Sequence, residues 1–315
     1  MSEEYKVKQI QPNHAEHISN FKENKLEELF ANEIIVKQPK YDGERMLIHF
    51  DGDNVYCTSR RFSKKTNRYM ENQDKLPKLK NIFPKNIGYT VLDCECYANS
   101  WNDVVSILHS LPERAIKLQD EINVKFAVFD CLYYNGQDTR NEKYLFRYNL
   151  AKDIVSMINR DFIHIVDNVV VNSLEKCKEL MNKEIENGFE GIVIKSLNRA
   201  YYDKMAIIKC KKFETIDCVI TGYKQGTGKY SNSIGALEIG YYDIDSNKFI
   251  SISHVNCGSD KMREEINNNK NKYLYKVVEV KCQEITEKSL RHPVFIRLRE
   301  DKDYKMCTKE TIFKS

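Results

Sequence analysis

After Lys212 the chain changes texture, and that change limits its fold more than any other feature. Up to that point, helical and extended patterns of ordinary length alternate and carry most of the charged clusters. Beyond it, short apolar runs recur between glycine-bearing turns, at Val219–Tyr223, Ala236–Tyr242, Phe249–Val255 and Val277–Ile285. Short, closely spaced strands of this kind bury their inner faces by curling into a small β-barrel. The boundary is placed near Phe213, giving one domain over 1–213 and a second over 214–315. A length of 315 residues suits this division, since domains run to about 150 residues each.

Hydrophobic residues make up 41% of the chain, enough for a packed core and too much for wholesale disorder. Lysine and arginine number 50 against 46 acids, a net charge of +4. That excess permits a polyanionic partner without demanding one, because the placement of charge matters more than its sum. None of the ten cysteines forms a C-x-x-C pair. Cys94 and Cys96 share a strand face, but no further ligands stand at zinc spacing. The cysteines read as reduced core thiols in a cytosol-like compartment. The N-terminus, MSEEYKVKQIQ, lacks the apolar run of a signal peptide. No stretch approaches the ~20 apolar residues of a membrane helix. The expectation is a soluble protein inside the cell, cytoplasmic or nuclear according to host.

Along the first domain, Asn13 to Asn32 is expected to be helical, with Leu26, Leu29 and Phe30 at helical spacing. A strand follows at Ile34–Gln38, then a turn from Pro39 to Gly43. A second strand carries Met46, Ile48 and Phe50 in alternation, and Asp51–Asn54 forms a hairpin turn into Val55–Arg60. Further strands fit Tyr89–Tyr97, Val124–Tyr133, Gly191–Lys195 and Ala206–Lys211. A helix near residue 173 is marked by Asn172 and Glu175 as a capping box, by a stripe of Cys177, Leu180, Met181 and Ile185, and by Gly188 at its end.

Lys40 sits in the turn between two strands, where an amine is held rigidly yet exposed. Asp42 and Arg45 lie within five residues of it. An amine attacks only when neutral, and free lysine has a pKa of about 10.4. Nearby cations and partial burial lower that value. Taken alone, the segment reads equally as an ordinary charged hairpin.

The rest of the chain favours the chemical reading. Lys40-Tyr41-Asp42-Gly43-Glu44-Arg45 resembles the K-x-D-G-x-R motif of covalent nucleotidyltransferases, the superfamily of DNA ligases, RNA ligases and capping enzymes. Its other motifs follow in order: Ser59-Arg60, Asp93-Cys94-Glu95, Phe126 to Asp130, Glu190 to Lys195, and Lys209-Cys210-Lys211. Cys94 replaces a usual glycine, and Ile207 stands where many ligases have tryptophan. From about Glu214 the chain resembles the OB-fold domain of ATP-dependent DNA ligases, and Arg299-Glu300-Asp301-Lys302 resembles their terminal R-x-D-K motif.

The resemblance implies an α+β fold: a nucleotidyltransferase domain with antiparallel sheets and flanking helices, followed by a small OB-fold β-barrel. It implies a DNA ligase of minimal viral or phage type that moves AMP from ATP to Lys40, then to a 5′-phosphate nick, and then seals the strand. Such an enzyme serves replication, repair or recombination. Asp42 would orient the lysine and assist the later attack. Arg45 would bind ribose and phosphate, and Arg60 phosphate or the nick end. Glu95 is expected at the ribose, at Mg²⁺, or both, and Glu190 at Mg²⁺ or Mn²⁺. Phe129 would stack on adenine, with a core phenylalanine as its bland alternative. Lys209 and Lys211, on one strand face, would share the triphosphate, and Arg199 would lie near the AMP phosphate or nick. Arg299, Asp301 and Lys302 would act in self-adenylation by orienting the leaving pyrophosphate, which needs the second domain to close and reopen.

The expected partners are ATP and nicked duplex DNA, with no membrane, and the chain acting as a monomer. RNA ligase and capping-type guanylyltransferase are the alternatives, and the Arg291–Lys302 segment argues against capping. The Tyr223–Ile234 loop is short, and no long DNA-encircling latch is evident there. Within it, Gly226-Thr227-Gly228-Lys229 lacks the first glycine and the terminal Ser or Thr of a P-loop, and reads as a barrel turn.

Overall fold

The computed structural model describes residues 8–286 and 288–313. The N-terminal residues 1–7, read above for a signal sequence, lie outside the described residues, as do Glu287 and residues 314–315. The chain divides into two compact units, Met1–Lys211 and Lys212–Ser315.

The first unit holds two sheets. In one, Ile35–Pro39 pairs antiparallel with Gly191–Ser196, which pairs antiparallel with Ile207–Lys211. Val169–Val171 and the two-residue strand Glu16–His17 form its edges. β-Branched residues dominate these strands, and their period of two divides them cleanly. Ile35, Ile192, Ile194, Ile208 and Cys210 are buried on one face against Leu26, Leu29 and Cys177 of two helices, Glu23–Asn32 and Leu174–Glu186. Gln38, Val193, Lys195, Lys209 and Lys211 alternate with them and belong to the other face.

The second sheet has seven strands, with Gly43–Phe50, Thr90–Tyr97 and Lys125–Tyr134 at its centre. Met46, Ile48, Cys94, Cys96, Phe126 and Val128 pack beneath it with Val104, Ile107, Ala115, Ala151 and Ile154 from three helices. Each large apolar side chain so enclosed contributes about 1.5–3 kcal/mol. Arg45 lies directly across from Glu95, and Leu47 from Asp93, so these four share the opposite face. That face is covered too: Leu47 and His49 are fully buried. The alternation expected around Met46, Ile48 and Phe50 therefore separates two buried faces rather than core from solvent.

Two expectations need correction. The first helix begins at Glu23, not near Asn13. The residues before it are taken up otherwise: Glu16–His17 extends the first sheet beside Ile208 and Lys209, and Ile18–Asn20 makes a single 3₁₀ turn that brings Ile18 and Phe21 to the core. The later helix is capped by Ser173, whose side chain accepts the Lys176 N–H, rather than by Asn172. Gly188, with φ +91°, follows that helix as expected. The helix Tyr144–Ile158 was not foreseen. Its buried face includes Tyr144, Arg147 and Tyr148, which a purely apolar stripe does not register.

The second unit holds a five-stranded antiparallel sheet in the order Lys248–Val255, Ile234–Asp243, Glu214–Gln225, Val277–Cys282, Val294–Leu298, and a short antiparallel pair, Glu284–Ile285 with Leu290–Arg291. It forms a small half-barrel of the OB kind. Ile220, Leu237, Ile239, Val278 and Val280 fill its core, and the helix Asp260–Asn268 adds Ile266. Gly226–Lys229 lies in the connection between two strands, as a barrel turn should. All ten cysteines are buried free thiols.

Candidate active site

Lys40 follows directly on its strand and is fixed by its own backbone. Its N–H donates to the Gly191 carbonyl at 2.9 Å, and its carbonyl accepts the Glu190 N–H at 3.0 Å. These two bonds carry the sheet pairing into the turn and set Glu190 beside the lysine. The Lys40 amine donates to the Glu190 carboxylate, and the lysine side chain keeps 23% of its surface exposed. It is thus accessible and held in one orientation by a carboxylate partner.

Both sheets supply the charges around it: Arg60 and Glu95 come from the seven-stranded sheet, Glu190 and Lys209 from its own. Glu95 is drawn towards its ionised form by Lys40, Arg45 and Arg60, but burial dominates and, with Glu190, pushes its carboxyl up to about 7. Burial lowers the Lys209 amine, and Lys40 and Arg60 lower it further. Lys40, Arg60, Glu95, Glu190 and Lys209 therefore form one electrostatic cluster.

Arg45 lies inside the unit rather than in open space. Its Nε donates to Asp93 Oδ1 at 2.8 Å, its Nη2 to Asp93 Oδ2 at 2.5 Å and to the Tyr201 hydroxyl at 3.0 Å, and its Nη1 to the Asn13 carbonyl at 2.6 Å. Arg45 therefore joins Asp93 in a buried bidentate pair, capped by Tyr201 and the N-terminal segment. The half-buried Phe129 ring lies 5.1 Å from this guanidinium and 4.3 Å from the Lys195 amine. Burial lowers the Lys195 amine to about 7, and it donates to the Tyr144 hydroxyl at 3.4 Å.

Of the other residues expected at the site, Asp42 is half-buried in the turn, and Lys211 closes the strand that carries Lys209. Arg199 lies elsewhere. Its guanidinium grips both oxygens of Glu33 at the end of the first helix, and its Nη1 bonds the Lys204 carbonyl. Glu33 and Lys40 stand before and after the same strand, seven residues apart, or about 23 Å at 3.3 Å per residue. In the second unit, Arg299 bonds Asp217 at 3.1 Å and Asp301 at 2.8 Å, and Lys302 bonds Asp217 at 2.7 Å.

Sequence reasoning did not single out Gln38, Tyr144, Tyr201, Lys195 or Asp217. Lys195 was visible as the last residue of the Glu190–Lys195 run. The Gln38 amide donates to the Tyr144 hydroxyl at 3.0 Å and to the Val166 carbonyl at 3.4 Å. Tyr144 in turn donates to the Phe129 carbonyl at 3.0 Å. The two Gln38 links span more than a hundred positions, and no local pattern announces them. Among the described residues no three His, Cys, Asp or Glu side chains gather as a metal cage.

The sequence matches a family model for the ATP dependent DNA ligase domain over residues 13–211. DNA ligase 2 of Methanosarcina mazei is 27% identical over 299 residues, covering 84% of this chain and 51% of that protein. The DNA ligase of Methanocaldococcus jannaschii is 28% identical over 312 residues, covering 84% and 53%. The chain thus spans about half the length of the curated relatives it matches. A solved structure from a structure–function analysis of Lig E DNA ligases superposes with a TM-score of 0.67 at 17% identity, over 92% of this chain and 99% of that one. It shares the fold.

Proposed function

The chain belongs to the ATP-dependent DNA ligase family, and from that membership we propose that it seals 5′-phosphate/3′-hydroxyl nicks in duplex DNA through a lysyl-AMP intermediate at Lys40. The observation that carries the reading is the Lys40 amine, exposed but held by Glu190, among the charges of Arg60, Glu95 and Lys209. In the first step the Lys40 nitrogen bonds the α-phosphorus of ATP, the bond to pyrophosphate breaks, and the amine gives up its proton. Asp42 and Glu190 orient the amine. Arg60, Lys209 and Lys211 meet phosphate oxygens on which charge accumulates. Phe129 offers a flat face to adenine. Arg45, engaged with Asp93, acts by fixing the wall of the pocket as much as by direct contact. Arg299, Asp301 and Lys302 belong to the self-adenylation step.

Glu95 and Glu190 suit Mg²⁺ or Mn²⁺, because such ions are held by one or two carboxylates together with substrate phosphates rather than by an all-protein cage. Bound there, the ion would neutralise phosphate charge. Glu95, with its carboxyl near 7, gains from any cation that stabilises its ionised form. We further propose that the chain acts as a monomer inside the cell. Ten buried cysteines, all free, suit a reducing compartment, and among the described residues no helix is long and apolar enough to cross a membrane.

Labelled ATP or GTP, followed by nicked DNA or triphosphate-ended RNA, tests the proposal. Label from ATP should appear on the protein and pass to the nick; label from GTP alone would end the ligase reading. Lys40→Ala and Lys40→Arg should both abolish labelling with the fold retained. Persistent adenylation of either variant would mean that another lysine is the nucleophile.

A further inference from the structure

Residues 9–14 form a strap across the second sheet, fastened at nearly every position. The Tyr69 N–H donates to Gln9 Oε1 at 2.8 Å, and the Tyr202 hydroxyl to the Gln11 carbonyl at 2.7 Å. The Asn13 N–H donates to the Tyr201 hydroxyl at 3.1 Å, and the Asn13 carbonyl accepts from Arg45. Ile10 and Pro12 are buried. His14 follows as an exposed residue on a fixed backbone.

Its ring helps to line a cavity of about 370 Å³, together with Gln11, Pro12, Arg60, Phe62 and Tyr69. Burial lowers the His14 imidazole, and Arg60, Arg45 and Lys209 lower it further, so three cations bear on this ring. Among the described residues, the side chains of His14, Arg60 and Lys209 take part in no hydrogen bond or ion pair, while Glu190 bonds the neighbouring Lys40. Converging cations that no carboxylate bonds are costly unless an anion joins them. Phe62 and Tyr69 meet edge to face at 5.2 Å and give the cavity an aromatic wall. Such a wall suits a sugar or base attached to a phosphate, whereas the polyphosphate tail of a nucleoside triphosphate has no apolar part to lay against it.

We propose that His14 is a further substrate-contacting residue, which with Arg60 and Lys209 holds the phosphate of the terminal nucleotide of a polynucleotide strand while that nucleotide rests on Phe62 and Tyr69. The proposal deepens the reading of Lys40 as nucleophile and rests on it for the strand's identity, but its central measurement needs no catalysis. A nitrogen–hydrogen donor to a phosphate is worth about 1.5–3 kcal/mol, or about tenfold or more in affinity.

Binding of the full chain to fluorescent nicked duplexes bearing a 5′-phosphate or a 5′-hydroxyl should show a preference for phosphate of about tenfold. His14→Ala should cut that preference severalfold, leaving the part that Arg60 and Lys209 supply. His14→Gln, which keeps an N–H donor, should restore part of it. Thermal melting should be the same for all three proteins. An unchanged preference in His14→Ala, or none in the wild type, would overturn the proposal. A rise in KM for ATP during self-adenylation that matched the loss of nick binding would overturn it as well, by giving the cavity to the triphosphate tail. Failure of Lys40 to take AMP from ATP is a separate outcome that removes the ligase reading and leaves the binding comparison intact.

Discussion

A charged group forced out of water records its surroundings in its protonation, and Lys195 and Glu95 do so with opposite signs. Lys195, 3% exposed, is held near pH 7 against an ordinary value of 10.5, chiefly by burial. Between those values the unfolded chain carries a proton that the folded chain lacks, so stability rises with pH across the window. The slope is roughly 1.4 kcal/mol per pH unit for one such group. Glu95 is raised from 4.5 to about 7; there the folded chain holds the extra proton, and stability falls as pH rises through that lower window. Urea unfolding from pH 4.5 to 9.5 should therefore show Lys195→Met losing the rise above pH 7, and Glu95→Gln losing the fall below it. A Lys195→Met profile parallel to wild type above pH 7 would show that the amine stays charged in the fold. Sequence reasoning singled out Lys40, Asp42, Glu95 and Glu190 through their resemblance to the family's motifs. It missed Lys195, Tyr144 and Tyr201, because the rings that enclose the lysine come from residues 129 and 144, and nothing in local composition announces a distant neighbour.

Strands were legible because their alternation is local; the helix Tyr144–Ile158 was not, because it buries Arg147 against Asp130 at 2.8 Å, a pair that reads as surface in one dimension. Glycines show a similar limit. Gly191 opens the strand that faces Lys40, with φ +140°, and a Cβ there would fall 2.3 Å from the Cys210 carbonyl oxygen. Gly52, in the hairpin turn, also has positive φ, at +106°, but has nothing within 4 Å. Both look alike in sequence, and their substitutions should not. Gly52→Ala should cost about 1–3 kcal/mol from backbone strain alone. Gly191→Ala carries that strain together with a steric clash between paired strands, and should cost more while weakening AMP labelling, because the same backbone bonds fix Lys40. Equal midpoint shifts in urea would show that the neighbouring strand yields freely.

On the scale of the whole molecule, the change of texture after Lys212 falls where one compact unit ends and the other begins, because the first unit interleaves its sheets with longer helices while the second is built mainly of antiparallel strands. What the texture could not show is how the second unit holds its own cations. Arg299 and Lys302 share Asp217, 82 and 85 positions away along the chain, and Arg299 also bonds Asp301. Asp301 is held below the usual carboxylate range, to about 2, with the Arg299 bond as first cause. The Arg299 guanidinium is therefore divided between two carboxylates, one on a strand and one on its own loop. Removing Asp301 leaves Arg299 to Asp217 alone and withdraws it from any phosphate it would orient. Asp301→Ala should then slow AMP transfer from ATP to Lys40 by about tenfold or more, on the order of one charged hydrogen bond, while sealing of a nick already carrying AMP proceeds near the wild-type rate. Equal losses at both steps would mean that Asp301 supports the fold of its unit rather than the approach of ATP, since only the first step releases pyrophosphate.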